Sequence, residues 1–313
     1  MEIRDLIIIG GGPAGITAGI YSARQKMNVL LVAKNFGGQI MRKAVGIENY
    51  PGFPQISSLD LIQKLEEHLE QYKIPVEFEE VAELTKSDGY FFIKTKDQNE
   101  FRSKAVIVAS GAIPRSLNVP GEKEFVGRGV SYCTACDGPI FNNKNVAVVG
   151  GGNAGFETAI FMTGYASKVY ILENGPAARA DAFNQEKVRA SEKIELIMNA
   201  EIKEIAGGKM VDKLVYKDKT DGEEKSISVE GIFMEVGYQP ASAFLGGDLA
   251  DFNERREIEV DFETFATKTP GLFAAGDVNS GKHKQIIIAS GQGAKAALEA
   301  YKYLQEKEKE NKI

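Results

Sequence analysis

The sequence predicts an α/β fold with two doubly wound halves, and an internal repeat is the first observation that predicts it. Residues 6–35 align without a gap to residues 146–175. Each copy reads as an apolar strand, a glycine turn, a helix of small residues and a second apolar strand. These strands are continuously apolar, which is typical of parallel sheets covered on both faces.

The same glycine pattern, G-x-G-x-x-G, falls at the strand-to-helix junction of both copies. Its first glycine makes the tight turn, its second lets the backbone approach a pyrophosphate, and its third lets the helix pack on the strand. The helix N-terminus then stabilises the phosphate charge. The sequence therefore predicts two Rossmann-like nucleotide-binding domains, whose motif glycines are Gly10, Gly12 and Gly15, and Gly150, Gly152 and Gly155.

The composition is that of an ordinary globular chain of 313 residues, 43% hydrophobic and 26% charged, with 33 glycines as the one excess. The net charge of −6 and the pI near 5.3 make nucleic acid and anionic lipid unexpected partners. Glycines and Pro13 interrupt the charge-free residues 6–23, so no signal peptide or membrane span is expected there. We therefore expect a cytoplasmic protein with no membrane partner.

The segments outside the repeat read as further strands and surface helices. Apolar residues on one face of residues 58–72 predict an amphipathic helix. A helix is also predicted near the C-terminus, over residues 285–304, and the charged tail after it is expected to be the fraying, solvated end of that helix and not a binding arm. Strands are predicted within residues 76–95 and 101–108, around a polar turn, and a buried strand over 105–111 ends in glycine. Residues 198–236 read as several strands with glycine turns between them, and a last strand is predicted over 271–275.

Cys133 and Cys136 are the only cysteines, and they form a C-x-x-C unit just before the second glycine motif. Three interpretations compete: buried structural thiols, a zinc site and a redox dithiol. Zinc is poorly supported, because the only histidines, His68 and His283, lack ligand-like spacing. A redox dithiol is favoured, since C-x-x-C geometry lowers the pKa of one thiol and lets disulfide and dithiol interconvert with little motion. No metal is expected.

Asp137 directly follows Cys136 and is a candidate to protonate a departing thiolate, the alternative being a simple turn residue. Two dinucleotide sites and one dithiol suggest a two-electron relay from a nicotinamide through a flavin to a disulfide. The predicted helix start at Gln285 and Ile286 offers a positive end for a reduced flavin. Asp277 offers a carboxylate for sugar hydroxyls.

Ordered motifs along nearly the whole chain resemble the low-molecular-weight thioredoxin reductases and the related flavoprotein component of alkyl hydroperoxide reductase. The motifs are GGGPAG at 10–15, GGQ at 37–39, ENYPG at 48–52, ASGA at 109–112, CTACDGP at 133–139, GGGNAG at 150–155, GLFAAGDV at 271–278 and KQIIIASGQGAKAA at 284–297. The resemblance implies that Cys136 faces the flavin, that Cys133 attacks a protein disulfide and that Asp137 is the general acid. It also implies a homodimer.

The resemblance further implies a discontinuous FAD domain, residues 1–114 and 247–313, with a nicotinamide domain, residues 115–246, inserted into it. The two domains are expected to rotate, with candidate hinges at Gly127, Gly129, Gly246 and Gly247. The residues implied to hold FAD are Gly10, Gly12, Pro13, Ala14, Gly15, Gly38, Gln39, Asn49, Gly111, Gly276, Asp277, Gln285 and Ile286. Those for the nicotinamide cofactor are Gly150, Gly152, Asn153, Gly155 and Glu173.

The sequence departs from NADPH-dependent thioredoxin reductases at Glu173-Asn174-Gly175, where those enzymes carry a basic His-Arg-Arg run. An acidic group at this strand end accepts hydrogen bonds from ribose hydroxyls and repels a 2′-phosphate, which predicts NADH as the donor over NADPH. Arg179 lies close enough in sequence to rescue some phosphate binding. In the first copy the equivalent residue is Ala33, so another group must recognise the ribose there.

The leading functional interpretation is an FAD-dependent, NADH-linked protein disulfide reductase. Because the sequence begins almost directly at the first glycine motif, we expect no N-terminal dithiol region like that of the peroxide-reductase flavoproteins. A thioredoxin or glutaredoxin-like protein is then the expected substrate. One alternative is a ferredoxin-dependent reductase, which the intact second glycine motif argues against; another is a non-catalytic flavin or nucleotide redox sensor.

Overall fold

The computed structural model describes residues 2–42, 46–246 and 248–310. The chain divides into two compact units. The first comprises Met1–Met41, Ile47–Ile113 and Gln239–Ile313, and the second comprises Arg42–Gly46 and Pro114–Tyr238. The first unit is therefore discontinuous in sequence.

The described residues form 17 β-strands and six α-helices. In chain order the strands are β1 (Ile3–Gly11), β2 (Val29–Phe36), β3 (Val76–Glu77), β4 (Val81–Ser87), β5 (Tyr90–Thr95), β6 (Glu100–Val108), β7 (Ala112–Pro114), β8 (Val130–Ser131), β9 (Asn145–Val149), β10 (Lys168–Leu172), β11 (Ile194–Ile197), β12 (Ala200–Gly207), β13 (Val211–Asp218), β14 (Glu224–Ser228), β15 (Gly231–Met234), β16 (Tyr238–Pro240) and β17 (Leu272–Ala274). The helices are α1 (Pro13–Arg24), α2 (Ser58–Glu70), α3 (Thr134–Asp137), α4 (Asn153–Met162), α5 (Ala182–Arg189) and α6 (Ile286–Glu310).

The first unit is built on a sheet with the strand order β3-β2-β1-β6-β5-β4. β3, β2, β1 and β6 are parallel, and the later half of β6 also pairs with the parallel strand β17, while its earlier half pairs with the antiparallel strand β5. Successive residues of β1 are buried on opposite faces: Leu6 and Ile8 in one core cluster, Ile7 and Ile9 in the other. Both faces are covered, as the continuously apolar pattern predicts.

The second unit repeats this arrangement in a parallel sheet with the order β11-β10-β9-β15-β8. Ala147 and Val149 of β9 are buried on one face, and Val146 and Val148 on the other. A separate antiparallel sheet contains β12, β13 and β14. The predicted fold class, α/β with two doubly wound Rossmann-like domains, is confirmed.

The helix starts fall into two kinds. α2 follows Ser57 and α5 follows Asp181, whose side chains accept hydrogen bonds from backbone N–H groups of the first turn. α1 and α4 follow Gly12 and Gly152 and have no side-chain cap. The first-turn N–H groups of α1 and α4 are therefore the ones suited to a phosphate.

α6 extends past residue 304 into the charged tail and ends at Glu310, and residues 306–310 are exposed. Small buried residues, including Ala296 and Ala300, line its inner side. Neither α6 nor any other helix in the described part of the chain is long and apolar enough to cross a membrane.

Apart from the short stretch 42–46, the chain passes between the units at 113/114 and 238/239, within the paired strands β7 and β16. The sequence predicts these crossings at 114/115 and 246/247. The second position differs because residues 239–246 belong to the first unit, where the Leu84 N–H donates to the Phe244 carbonyl at 3.0 Å. The contact between Leu84 and Phe244 joins residues far apart in the chain, and local sequence pattern does not predict such a contact.

The candidate hinge glycines do not lie at these crossings. Gly127 and Gly129 lie in a turn inside the second unit, with φ of +74° and +118°. A Cβ on Gly129 would lie 2.6 Å from the Cβ of Val211, so that glycine permits a close approach. Gly246 belongs to the first unit, and Gly247 lies outside the described residues.

Candidate functional site

The three glycines of the first motif have different structural roles. A Cβ on Gly10 would lie 2.2 Å from the Ala109 carbonyl oxygen, and one on Gly15 would lie 1.8 Å from the Gly10 carbonyl oxygen. A Cβ on Gly12 would meet no atom of the described residues within 4 Å, and its φ of −79° is ordinary. Packing therefore requires glycine at 10 and 15, whereas Gly12 leaves open space in front of α1.

The second motif repeats this division of roles. A Cβ on Gly150 would lie 2.2 Å from the Glu235 carbonyl oxygen, and one on Gly155 would lie 1.9 Å from the Gly150 carbonyl oxygen. Gly152 again faces open space, with no described atom within 4 Å of a Cβ placed there. Asn153 uses its Oδ1 to accept a backbone hydrogen bond from the N-cap residue of α5 at 2.7 Å, so it orders the neighbouring loop.

Both turns fit the pyrophosphate of a dinucleotide. Such a group needs close backbone approach, and the space at Gly12 and Gly152 permits it. It also needs N–H donors, which the uncapped first turns of α1 and α4 supply. The two observations are independent, because the helix cap and the space around the middle glycine involve different atoms.

The structure brings several residues predicted to hold FAD to the first glycine turn. Pro13 occupies the first turn of α1. A Cβ on Gly38 would lie 3.6 Å from the Cα of Gly12, and one on Gly276 would lie 3.0 Å from the Cβ of Ala14. Residues far apart in sequence thus lie close to the first glycine turn and the start of α1.

Two side-chain pairs connect the other predicted FAD residues. Gln39 Nε2 donates to Asp277 Oδ2 at 3.0 Å, and Asn49 Nδ2 donates to Gln285 Oε1 at 3.2 Å. Ile286, the first residue of α6, packs against the small apolar cluster around Ile40, Ile47 and Leu61. The polar pairs therefore lie between the turn after β2, the loop after β17 and the start of α6.

Two further residues shape this region. Gly111 has φ of +69°, and its carbonyl accepts from the Ala241 N–H at 2.9 Å. Gln292 Oε1 accepts from the Gly276 N–H at 2.7 Å and from Asn279 Nδ2 at 2.8 Å. Sequence reasoning missed Gln292, because helix periodicity does not reveal which loop a helical side chain contacts.

Glu173 supports the second glycine turn directly. Glu173 is 5% exposed, and its two carboxylate oxygens accept from the Gly151 N–H at 2.7 Å and the Gly175 N–H at 2.8 Å. Arg179 Nη2 lies 3.5 Å from Oε2 of the same carboxylate. Two backbone N–H groups thus hold this buried carboxylate against the second glycine turn.

Cys133 and Cys136 form a disulfide at the start of α3, in the second unit. Cys133 is half-buried and its Sγ accepts from the Cys136 N–H at 3.3 Å, whereas Cys136 is exposed. In the reduced form this N–H would stabilise a thiolate on Cys133, which favours Cys133 as the nucleophile. Within the described residues, no group of three or more His, Cys, Asp or Glu side chains is placed to hold a metal ion.

Ser131 links Asp137 to the dithiol. Ser131 is 4% exposed, and its Oγ donates to Asp137 Oδ2 at 2.6 Å and accepts from the Cys133 N–H at 3.0 Å. The Asp137 N–H donates to the Cys133 carbonyl at 3.1 Å. The predicted acid is therefore held beside the cysteine pair. Sequence reasoning missed Ser131, although its position two residues before Cys133 is a usable signal.

A buried carboxylate, Glu122, holds the residue that precedes Cys133. It accepts from Tyr132 Oη at 2.7 Å, from Ser116 Oγ at 2.7 Å and from the N–H groups of residues 117 and 118 at 3.0 and 2.6 Å. Burial raises the pKa of Glu122, but these hydrogen bonds outweigh burial and lower the pKa below its ordinary value. Burial and the bond to Glu122 raise the pKa of Tyr132 to about 12.

Replacing Glu122 by Gln is expected to change how stability depends on pH. Because folding lowers the pKa of Glu122, its stabilisation is complete above the ordinary value of 4.5 and is lost as the pH falls through the folded value. Glu122→Gln should lack that acid-dependent loss and be about 1–3 kcal/mol less stable near pH 7. Urea unfolding between about pH 3 and 7 measures this, with Glu124→Gln, on an exposed neighbour, as the control. Identical pH profiles for wild type and Glu122→Gln would contradict it.

Residues 4–293 match the sequence profile of the family described as pyridine nucleotide-disulphide oxidoreductase. The chain is 40% identical over 303 residues to an NADH dehydrogenase of Bacillus subtilis (strain 168), and 40% identical over 307 residues to the F component of alkyl hydroperoxide reductase of Xanthomonas campestris pv. phaseoli. Each alignment covers 97% of this chain, but only 59% and 57% of those two proteins. The chain thus spans less than two thirds of the length of these curated relatives.

Among solved structures, the crystal structure of Lactococcus lactis thioredoxin reductase in its FR conformation is 39% identical, with a TM-score of 0.92. The match covers 97% of this chain and 99% of that one. The resemblance predicted from the sequence motifs, to thioredoxin reductases and to the alkyl hydroperoxide reductase flavoprotein, is confirmed by these matches. The chain belongs to the pyridine nucleotide-disulphide oxidoreductase family.

Proposed function

We propose that this protein is an FAD-dependent disulfide reductase that takes electrons from NADH and passes them to the disulfide of a thioredoxin-like or glutaredoxin-like protein. The observation that carries the proposal is the Cys133–Cys136 disulfide, which shares its unit with the second glycine turn and has Asp137 held beside it. The similar structure named thioredoxin reductase supports this substrate class. A homodimer is part of the proposal.

We assign FAD to the first unit and the nicotinamide cofactor to the second. When bound, FAD would accept a hydride from the nicotinamide and deliver two electrons to the disulfide. Gly12, Gly38 and the start of α1 would hold its pyrophosphate, and Asp277 would accept from sugar hydroxyls. The N-terminus of α6, at Ile286, would stabilise negative charge on the reduced ring.

The chemistry of the chain's own residues begins once two electrons and two protons have converted the disulfide to a dithiol. The Cys133 thiol releases its proton to solvent, and the resulting thiolate attacks one sulfur of the partner's disulfide, which forms a mixed disulfide and releases a partner thiolate. Asp137 donates the proton that this leaving thiolate takes up. The Cys136 thiol then releases its proton, and its thiolate attacks the Cys133 sulfur, so the intramolecular disulfide re-forms and the second partner sulfur leaves as a thiolate that takes up a proton from solvent.

We expect NADH to be preferred over NADPH by at least about tenfold in kcat/KM, equivalent to about 1.4 kcal/mol. The Glu173 carboxylate beside the second glycine turn would accept from the ribose hydroxyls and repel a 2′-phosphate. Arg179, whose side chain is 77% exposed and whose Nη2 lies 3.5 Å from the Glu173 carboxylate, would attract a 2′-phosphate, so Arg179→Ala should reduce NADPH use more than NADH use. Steady-state kinetics with both donors measures this, and equal or better use of NADPH would contradict it.

The test of the proposed function is oxidation of NADH by the purified flavoprotein in the presence of a panel of thioredoxin-like and glutaredoxin-like proteins. We expect oxidation that depends on the carrier and on FAD. Anaerobic NADH alone should bleach the flavin. Failure of bleaching would favour the ferredoxin-dependent alternative, for which the missing basic run at Glu173-Asn174-Gly175 is the supporting observation. Bleaching without carrier reduction by any member of the panel would count against the proposed substrate.

A further inference from the structure

The helix that carries the cysteine pair depends on contacts outside itself. α3 has four residues, far fewer than an isolated helix needs for stability. Thr134 lies between the two cysteines and is 2% exposed, and its Oγ1 is 3.0 Å from Oγ1 of Thr158 on α4. The side chain between the cysteines is thus hydrogen-bonded to the helix that follows the second glycine turn.

The hydrogen bonds continue from Thr158 to Glu235, which lies beside the second glycine turn. Thr158 is 6% exposed and its Oγ1 donates to Glu235 Oε1 at 2.9 Å. Glu235 follows β15. A Cβ placed on Gly150 would lie 2.2 Å from the Glu235 carbonyl oxygen, so the Glu235 backbone packs closely against the second glycine turn. Thr134, Thr158 and Glu235, the hydroxyl chain, therefore connect the cysteine helix to a residue whose backbone packs against the turn assigned to the nicotinamide cofactor, all within the second unit.

The direction of donation within the hydroxyl chain follows from its chemistry. The Thr158 hydroxyl has a single proton, which it donates to Glu235 Oε1. Thr134 must then donate its own proton to Thr158 Oγ1. Removing the hydroxyl of Thr158 would deprive the buried Thr134 hydroxyl of this partner, and a buried polar group without a partner is costly.

We infer that the hydroxyl chain positions α3 and sets the equilibrium between the disulfide and dithiol forms of Cys133 and Cys136; this rests on the proposed function, in which the pair cycles. In the oxidised form the S–S bond itself holds the two sulfurs together. In the reduced form only non-covalent contacts do so. Loosening α3 lowers the effective concentration of one thiol at the other, so the disulfide becomes easier to reduce.

The test compares Thr158→Val, which keeps the side-chain shape and removes the hydroxyl, with Thr158→Ser, which restores a hydroxyl. Thr163→Val is the matched control, because the Thr163 hydroxyl donates only to the Ile160 carbonyl at the end of the same helix. Each flavin-loaded variant is equilibrated anaerobically with mixtures of reduced and oxidised dithiothreitol, quenched in acid and alkylated. The chain has two cysteines, so the mass of the alkylated protein reports the state of the pair directly.

Thr158→Val should shift the equilibrium about three- to tenfold toward the dithiol, where tenfold corresponds to about 30 mV for this two-electron couple. Thr158→Ser and Thr163→Val should stay within about twofold of wild type. A Thr158→Val value within twofold of wild type, a shift toward the disulfide, or an equal shift in Thr163→Val would overturn the inference. If Thr158→Val fails to fold or to retain flavin, Thr134→Val is judged by the same criteria.

This measurement needs neither nicotinamide nor a protein substrate, so it separates the inference from the proposed function. A wild-type pair that dithiothreitol cannot reduce would overturn both. A wild-type pair that titrates normally, with Thr158→Val indistinguishable from it, would overturn the role of the hydroxyl chain and leave the proposed function intact.

Discussion

Replacing either Cys133 or Cys136 by Ser is expected to lower NADH-dependent reduction of a protein disulfide by at least about a thousandfold in kcat, because a serine hydroxyl cannot replace a thiolate in disulfide exchange. These are the only cysteines of the chain, so no other thiol can substitute. The step before them should survive: anaerobic NADH should still bleach the flavin in both variants. Carrier-dependent NADH oxidation and anaerobic absorbance spectra measure the two steps separately.

The two serine variants are also expected to differ from each other. Cys136→Ser retains Cys133, whose Sγ accepts a hydrogen bond from the backbone N–H of residue 136. This variant should accumulate a stable mixed disulfide with the protein substrate. Cys133→Ser should trap much less of it, since the remaining thiol lacks that donor. Non-reducing gel electrophoresis with an oxidised carrier distinguishes them. If Cys133→Ser traps more of the mixed disulfide than Cys136→Ser, the assigned roles of the two cysteines are reversed. If both variants reduce the carrier at the wild-type rate, the cysteine pair does not take part in catalysis.

Alanine substitutions in the first glycine motif are expected to fail in two different ways. Gly15→Ala would place a Cβ 1.8 Å from the Gly10 carbonyl oxygen, so the α1 helix must move away from β1, at a cost of about 3 kcal/mol or more. Gly12→Ala adds a methyl group to open space at an ordinary φ, so we expect the flavin-free protein to lose no more than about 1 kcal/mol. The methyl group instead occupies the space that a pyrophosphate needs.

Flavin affinity and stability should therefore separate in the two variants. Gly12→Ala should bind FAD about ten- to a hundredfold more weakly, at about 1.4 kcal/mol per factor of ten. Urea unfolding of the flavin-free proteins and fluorescence titration with FAD measure the two quantities. Gly152→Ala, in the second motif, is the matched control: it should leave FAD binding unchanged and weaken NADH binding. A Gly12→Ala protein with wild-type FAD affinity would contradict the assignment of this turn.

Much of this site could be predicted from local sequence pattern. The glycine motifs are read over six residues each, and their contexts of apolar strand and small-residue helix identify β1, β9, α1 and α4. The second crossing between the units could not be predicted, since residues 239–246 join the first unit through a contact with Leu84. Gly127 and Gly129, proposed as hinges, lie in a turn inside the second unit, and only the fold shows whether a glycine turn joins two units.

The sequence by itself determined the two glycine turns, the cysteine pair and the adjacent Asp137, because each is a short pattern formed by neighbours along the chain. Only the tertiary structure decided what surrounds them: Glu173 against the second turn, Glu122 beneath Tyr132, and Thr158 between Thr134 and Glu235. The physical reason is that a buried polar side chain must find a hydrogen-bond partner, and the partner is set by how strands and helices pack across long sequence separations. A local pattern specifies the reacting groups, and the packing specifies what holds them.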